Sequence, residues 1–259
     1  SLKSLFDAGH DICGVFTKAD KPVGRGMKIV ETPVKKLAIE HNTPVYQPAS
    51  LRDGSAMEII KELKPEIICV VAYGKILPND ILDFPKYGCV NIHGSILPRY
   101  RGSAPIQWSV LNGEKIAGVT AMYMAEEMDA GDIIDTRTTE IGEKETSGEL
   151  FDRLMLIGGE LLCDTLKSIE NGTATRTPQD PAQATFAPMI TKDMCPIGWA
   201  KSYREIDCQV RGLLPWPVAT ATFGDNTYKV FRVERGSDKT ADTPGTVVSA
   251  GNNGIEVAC

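Results

Sequence analysis

Apolar positions recur along the first two-thirds of the chain alternately at helical spacing and in strand-like runs, the pattern of an α/β protein. Leu2, Leu5 and Phe6 share a helical face that Gly9 and His10 end, ahead of a strand over 12–16. Pro33 starts a helix carrying Val34, Leu37, Ala38 and His41, and a short strand at Val45-Tyr46 follows. Met57, Ile60 and Leu63 mark one face of a helix over 56–63. The run 67–73 is apolar throughout, as in a central parallel strand buried on both faces. Strands are then predicted at 89–93, 118–124 and 133–141, with a helix over 104–111. A long helix over 147–169 turns Leu150, Leu154, Ile157, Leu161 and Leu162 inward. A doubly wound domain normally opens with a strand, so a chain that begins in a helix predicts a first strand missing ahead of residue 1.

The pattern changes after residue 170. Residues 171–194 are rich in Gly, Thr, Pro, Gln and Asp and read as a linker. One short helix around 203–213 is stopped by Pro215-Trp216-Pro217. Short strands at 219–223, 227–233, 245–248 and 255–258, separated by turns such as Gly224-Asp225-Asn226, suggest a small barrel. The expected fold is therefore α/β, a doubly wound and mostly parallel sheet with a small β-rich domain behind it. The boundaries fall at 1–175, a linker over 176–195, and 196–259.

Composition narrows this little. The 259 residues, 42% hydrophobic and 24% charged, suffice for one large domain or two smaller ones. A formal net charge of −6 argues against bulk nucleic-acid binding but leaves room for a local basic surface. Seven Cys without a Cys-x-x-Cys pair fit buried thiols in a reducing, cytoplasmic compartment, and three His without ligand spacing predict no metal. No apolar run reaches membrane-spanning length.

Candidate chemistry centres on the strand and loop 90–102. Asn91 and His93, two residues apart, point the same way at the carboxyl end of their strand, where open α/β sheets place ligands, and Gly94 frees the backbone beside them. A second candidate is the acidic loop Met128-Asp129-Ala130-Gly131-Asp132, in which Gly131 permits close approach. A third is the long loop 17–33 around Gly24-Arg25-Gly26. Over 17–36, six basic residues oppose two acidic ones, a net +4. This loop is no dinucleotide fingerprint, which needs a third Gly and a strand directly before it.

The segments Asn-x-His-Gly-Ser-x-Leu-Pro-x-Tyr-Arg-Gly (91–102), Pro105-Ile106-Gln107 and 128–132 together resemble the formyltransferases that use 10-formyltetrahydrofolate. Over nearly the whole chain the resemblance is to the methionyl-tRNA formyltransferases. It implies catalytic roles for Asn91, His93 and Asp129, with Ser95-Ile96-Leu97-Pro98 as the folate segment, usually Ser-Leu-Leu-Pro. Tyr73 and Gly74 would help form the pterin pocket. It also implies that Arg25, supported by Lys28, contacts initiator methionyl-tRNA in a monomeric cytoplasmic enzyme, bacterial or organellar. The carboxyl-terminal domain would be OB-like, tRNA-holding and short of its last strands.

Three other readings compete. A hydrolase would use Ser95, His93 and Asp129 as a triad, but Gly-x-Ser-x-Gly is absent and Ser95 lies only two residues from its base. A non-catalytic folate- or RNA-binding module would lack one of the three polar residues. A formyltransferase acting on an amino-sugar nucleotide or glycinamide ribonucleotide would lack the basic loop and the Pro-Trp-Pro domain.

Overall fold

Helix α1 (Leu2–Asp7) buries Leu5 and leads to the two-residue strand β1 (Val15–Phe16). The structure, a computed structural model, describes residues 1–23, 27–236, 241–252 and 254–259. Strands β2 (Lys21–Val23) and β3 (Lys28–Val30) pair antiparallel, so the loop expected over 17–33 carries a short ladder. Val23, Ile29 and Val30 supply the β-branched residues that favour extended backbone there. Arg25 lies outside the described residues, and Lys28 opens β3.

Helix α2 (Pro33–Glu40) begins at Thr32, whose Oγ1 accepts a hydrogen bond from Lys35 N at 3.1 Å. Pro33 occupies the first turn, where its missing N–H has no helical partner to lose. Strand β4 (Val45–Tyr46) pairs parallel with β1. Helix α3 (Ser55–Leu63) turns Ala56 and Ile60 inward and stops at Lys64, whose left-handed backbone ends the helix. Next come β5 (Ile68–Val70), the single-turn helix α4 (Asn79–Leu82) and β6 (Cys89–His93). Leu51, Ala56, Ile60, Leu77, Ile81, Leu82 and Cys89 form one core with Phe16, Ile68, Val70 and Tyr73 packed against it.

Helix α5 (Pro105–Leu111) precedes β7 (Ile116–Tyr123) and β8 (Ile133–Glu140), which complete a sheet ordered β5-β6-β7-β8. β5 lies parallel to β6, but β7 runs antiparallel to it, so this sheet is mixed rather than mostly parallel. β5 is correspondingly not a buried central strand. It stands at the sheet edge with all three residues half-buried, and the chain leaves the ladder at Val71. Helix α6 (Ser147–Glu170) buries Leu150, Leu154, Leu161 and Leu162 as the periodicity predicts. Ile157 is only half-buried, because Gly158 and Gly159 bring the helix closer instead; a Cβ at Gly158 would lie 3.0 Å from Ile92 Cγ2.

Contacts gather the chain into two compact units, residues 1–101, 118–137 and 154–185 in the first and 102–117, 138–153 and 186–259 in the second. The second unit has its own core of Ala104, Ile190, Ile197, Ile206, Val210, Leu213 and Ala219, with Trp108 and Leu111 against it. Within it, helix α7 (Tyr203–Gly212) starts with a capping box between Ser202 and Glu205. Strands β9 (Ala219–Phe223) and β10 (Asn226–Val230) form one antiparallel pair, β11 (Val247–Gly251) and β12 (Gly254–Val257) another. Among the described residues these are separate ladders, not a closed barrel. All five residues of β11 are exposed, whereas a barrel wall would cover one face. Among the described residues no helix is long and apolar enough to cross a membrane.

Candidate active site

Strand β6 sets two of the candidate residues. Its backbone is paired on both sides, Asn91 between Val70 and Met122, and His93 opposite Thr120. Asn91 is half-buried and His93 is 6% exposed. After His93 the chain curls back on itself. Ser95 Oγ donates to Arg99 O at 2.6 Å, and Thr120 Oγ1 donates to Ser95 O at 2.7 Å while accepting from Leu97 N at 3.2 Å. This curl brings the Tyr100 carbonyl to 2.9 Å from His93 Nε2. A carbonyl only accepts, so Nε2 carries the proton. The other nitrogen, Nδ1, then faces Asp129 Oδ1 at 3.6 Å, within ion-pair reach but longer than a hydrogen bond.

Asp129 reaches that place on the loop between β7 and β8. Tyr123 N donates to Asp132 O at 2.9 Å across the mouth of the loop, and a Cβ on Gly131 would lie 1.8 Å from Tyr123 O, so only glycine fits. Asp129 itself has φ +52, a conformation that Asp tolerates better than most residues. From the other side comes the segment expected as a linker. Ile133 and Thr177 exchange backbone bonds at 2.9 Å, and Thr185 receives Tyr100 N on its Oγ1 and Arg101 N on its carbonyl. Gln179, held between these anchors, donates from Nε2 to the carbonyls of Asp129 and Gly131, both at 2.8 Å. Its Oε1 accepts from Arg101 Nε and Nη2 at 3.1 and 2.9 Å, and Arg101 Nη1 reaches Glu127 Oε1 at 3.2 Å.

Asn91, His93, Asp129 and the 95–98 loop therefore belong to one compact unit, with His93 and Asp129 in contact. Ser95 and Leu97 are buried, while Ile96 and Pro98 are half-buried. Tyr73 and Gly74 lie just beyond β5, the neighbour of β6. Gly74 has φ +71, and a Cβ there would meet Lys18 Nζ at 2.9 Å. The Tyr73 hydroxyl is buried without a hydrogen-bond partner, and burial raises its pKa. Ser95 gives its proton to Arg99 O and His93 Nε2 faces Tyr100 O, so no Ser–His pair exists for a hydrolytic triad. Among the described residues no cluster of three His, Cys, Asp or Glu side chains could hold a metal.

Sequence reasoning missed Thr120, Arg101 and Gln179. Arg101 stood inside the motif without a role, and Gln179 was hidden in a polar stretch whose composition signals only a connector. Its one visible signal is a side chain with both donors and an acceptor, able to serve two partners at once.

A formyl transferase model matches residues 2–166, and a formyl transferase C-terminal domain model matches residues 189–259. The chain belongs to the formyl transferase family. Curated relatives named methionyl-tRNA formyltransferase include those of Alkaliphilus oremlandii and Clostridioides difficile. Each is 46% identical over 257 residues, 99% of this chain and 83% of the relative. Among solved structures, an N-formyltransferase from Helicobacter canadensis in complex with folinic acid and dTDP-3-aminofucose is similar at a TM-score of 0.67. It is 21% identical over 89% of this chain and 81% of that one. HypX from Aquifex aeolicus in complex with tetrahydrofolic acid matches at 0.65, with 17% identity over 96% of this chain and 42% of that one. At these identities the solved structures show a shared fold. The family expected from the motifs at 91–102 and 128–132 is thus the one to which the chain belongs.

Proposed function

We propose that the protein transfers a formyl group from 10-formyltetrahydrofolate to the α-amine of initiator methionyl-tRNA. The observation that carries this is the His93 ring held between the Tyr100 carbonyl and the Asp129 carboxylate, two strand positions from Asn91, in a chain 46% identical to relatives of that name. The folate supplies an activated formyl carbonyl. Ser95, Ile96, Leu97 and Pro98 would hold it together with Tyr73 and Gly74. An orphaned, buried Tyr73 hydroxyl is the kind of group that a polar heterocycle satisfies.

The chain's own residues supply what acyl transfer to an amine requires. The Asn91 amide donates an N–H to the oxygen on which negative charge builds, a contact that can be worth ~3 kcal/mol when preorganised. The His93–Asp129 pair takes up the proton shed by the attacking nitrogen, and the carboxylate offsets the charge that the ring gains. Acceptor recognition falls to the basic segment 17–36, with Arg25 and Lys28 on the RNA, and to a carboxyl-terminal domain over 196–259 beyond a linker at 176–195. Lys35 is already bound to Asp20 and Glu31 at 2.5 and 3.1 Å, so Lys18, Lys21, Arg25, Lys28 and Lys36 supply the remaining charge. The enzyme works as a cytoplasmic monomer without a metal.

The test is formyl transfer to methionyl-tRNA measured beside an amino-sugar nucleotide and glycinamide ribonucleotide. Preference for a small acceptor would overturn the tRNA assignment. Arg25→Ala should weaken tRNA binding and flatten its salt dependence while leaving folate affinity unchanged, since each lost phosphate contact releases fewer counterions.

A further inference from the structure

We propose that Gln179 is a positioning residue that holds the Asp129 carboxylate against His93 by fixing the backbone of the 129–131 turn. The proposal rests on the catalytic reading of His93 and Asp129 given above. Gln179 acts on the backbone of that turn. Its amide nitrogen spans two carbonyls, Asp129 O and Gly131 O, each at 2.8 Å. The first of those bonds falls on the carbonyl of Asp129 itself, whose φ of +52 is a backbone conformation that L side chains rarely adopt and that needs outside support to persist.

The orientation of the amide is dictated by its neighbours. Arg101 has only donors, two of them aimed at Gln179 at 2.9 and 3.1 Å, and the two turn carbonyls only accept. Oε1 must therefore face the guanidinium and Nε2 the turn. Arg101 is 4% exposed, and its third contact, Glu127 Oε1, lies on the same loop as Asp129. The guanidinium thus anchors the loop directly at Glu127 and again at residues 129–131 through Gln179. Gln179 is itself kept in place by the Ile133–Thr177 bonds on one side and the Thr185 bonds to Tyr100 and Arg101 on the other. Tyr100 also supplies the carbonyl that receives His93 Nε2, so one polar network sets both partners of the ring.

Gln179→Glu separates this role from packing. The variant keeps the shape and an acceptor for Arg101 but loses both donors and turns an oxygen towards two carbonyls. Steady-state kinetics should show kcat reduced ~10–100-fold, the scale of a displacement of about 1 Å in a reacting group, with KM for the formyl donor changed less than about twofold and the melting temperature lowered by only a few degrees. The ring nitrogen resonances of His93, recorded by NMR on the full chain, should move towards those of the Asp129→Asn protein. Wild-type kcat, wild-type His93 resonances, or equal losses in KM and melting temperature would each overturn the positioning role. The underlying reading fails separately. It fails if Asn91→Ala and His93→Ala retain turnover, or if the wild-type protein forms no formyl-methionyl-tRNA, and the NMR comparison decides the Gln179 proposal in either case.

Discussion

Replacing Gly131 by Ala isolates the contribution of loop geometry to the site. The φ of Gly131 lies outside the left-handed region, so alanine is conformationally acceptable and the penalty is purely steric. The new Cβ would stand 1.8 Å from Tyr123 O, 2.9 Å from Tyr123 C and 3.4 Å from Ala125 N, all backbone atoms that cannot swing aside. Ordinary contact begins near 3.4 Å, so the loop must move away by roughly 1.5 Å. That displacement breaks the Tyr123 N–Asp132 O bond at 2.9 Å and pulls Gly131 O from Gln179 Nε2 at 2.8 Å. Overpacking of this kind costs about 1–3 kcal/mol and each of the two lost bonds about 1 kcal/mol, giving a total of roughly 3–5 kcal/mol. Because Asp129 rides on the same loop, turnover should fall ~100-fold, and the melting temperature should fall with it. Thermal unfolding followed with single-turnover formyl transfer checks both quantities. An alanine variant with native turnover and native melting would show that the loop is not fixed where these distances put it.

Asn91→Ala and His93→Ala should leave the fold intact and each lower kcat at least ~100-fold, read by kcat alongside thermal unfolding; retained turnover refutes their roles. Thr120→Val removes the hydroxyl that joins Ser95 O to Leu97 N and should cost about 1–3 kcal/mol through the buried N–H left unpaired, while weakening folate binding measured by titration. Burial pushes the thiols of Cys69 and Cys89 up to about 12. A thiol reagent at pH 8.5 should therefore label exposed Cys259 and spare these two until the protein unfolds. Raised folded-state values mean that their contribution to stability is complete below about 9 and is lost as pH climbs towards 12, which a series of alkaline melting curves checks.

Elements with strong periodicity were legible in the sequence. Helices α2, α3, α5, α6 and α7 and strand β6 lie where apolar spacing puts them, and the alternation of β6 places Asn91 and His93 together. Strand direction was not legible: an apolar run reads the same whether its neighbour runs with it or against it, which is why the antiparallel β6–β7 pairing escaped the pattern. The same ambiguity made β5 look central, since hydrophobicity does not report how many neighbours a strand has. α4 is a single turn behind Pro78, too short for a helical period to show. Of the site, the residues that carry chemistry could be named because their types are rare and clustered. The supports could not, because Thr120 and Gln179 act through backbone groups brought near by the fold, contacts that no local spacing encodes.

The second core is stitched from segments far apart in the chain, and synthesis must meet them in order. Helix α5 leaves the ribosome about 90 residues before α7, the helix that shares its core. At roughly 5–20 residues per second, the apolar side chains of Trp108 and Leu111 wait on the order of 5–20 s for Ile206, Val210 and Leu213. For that interval the nascent chain carries a helix face without the α7 side chains that complete its cover. A chaperone that holds such faces, or a translation rate that shortens the wait, should raise the yield of folded protein more than any change within the mature core.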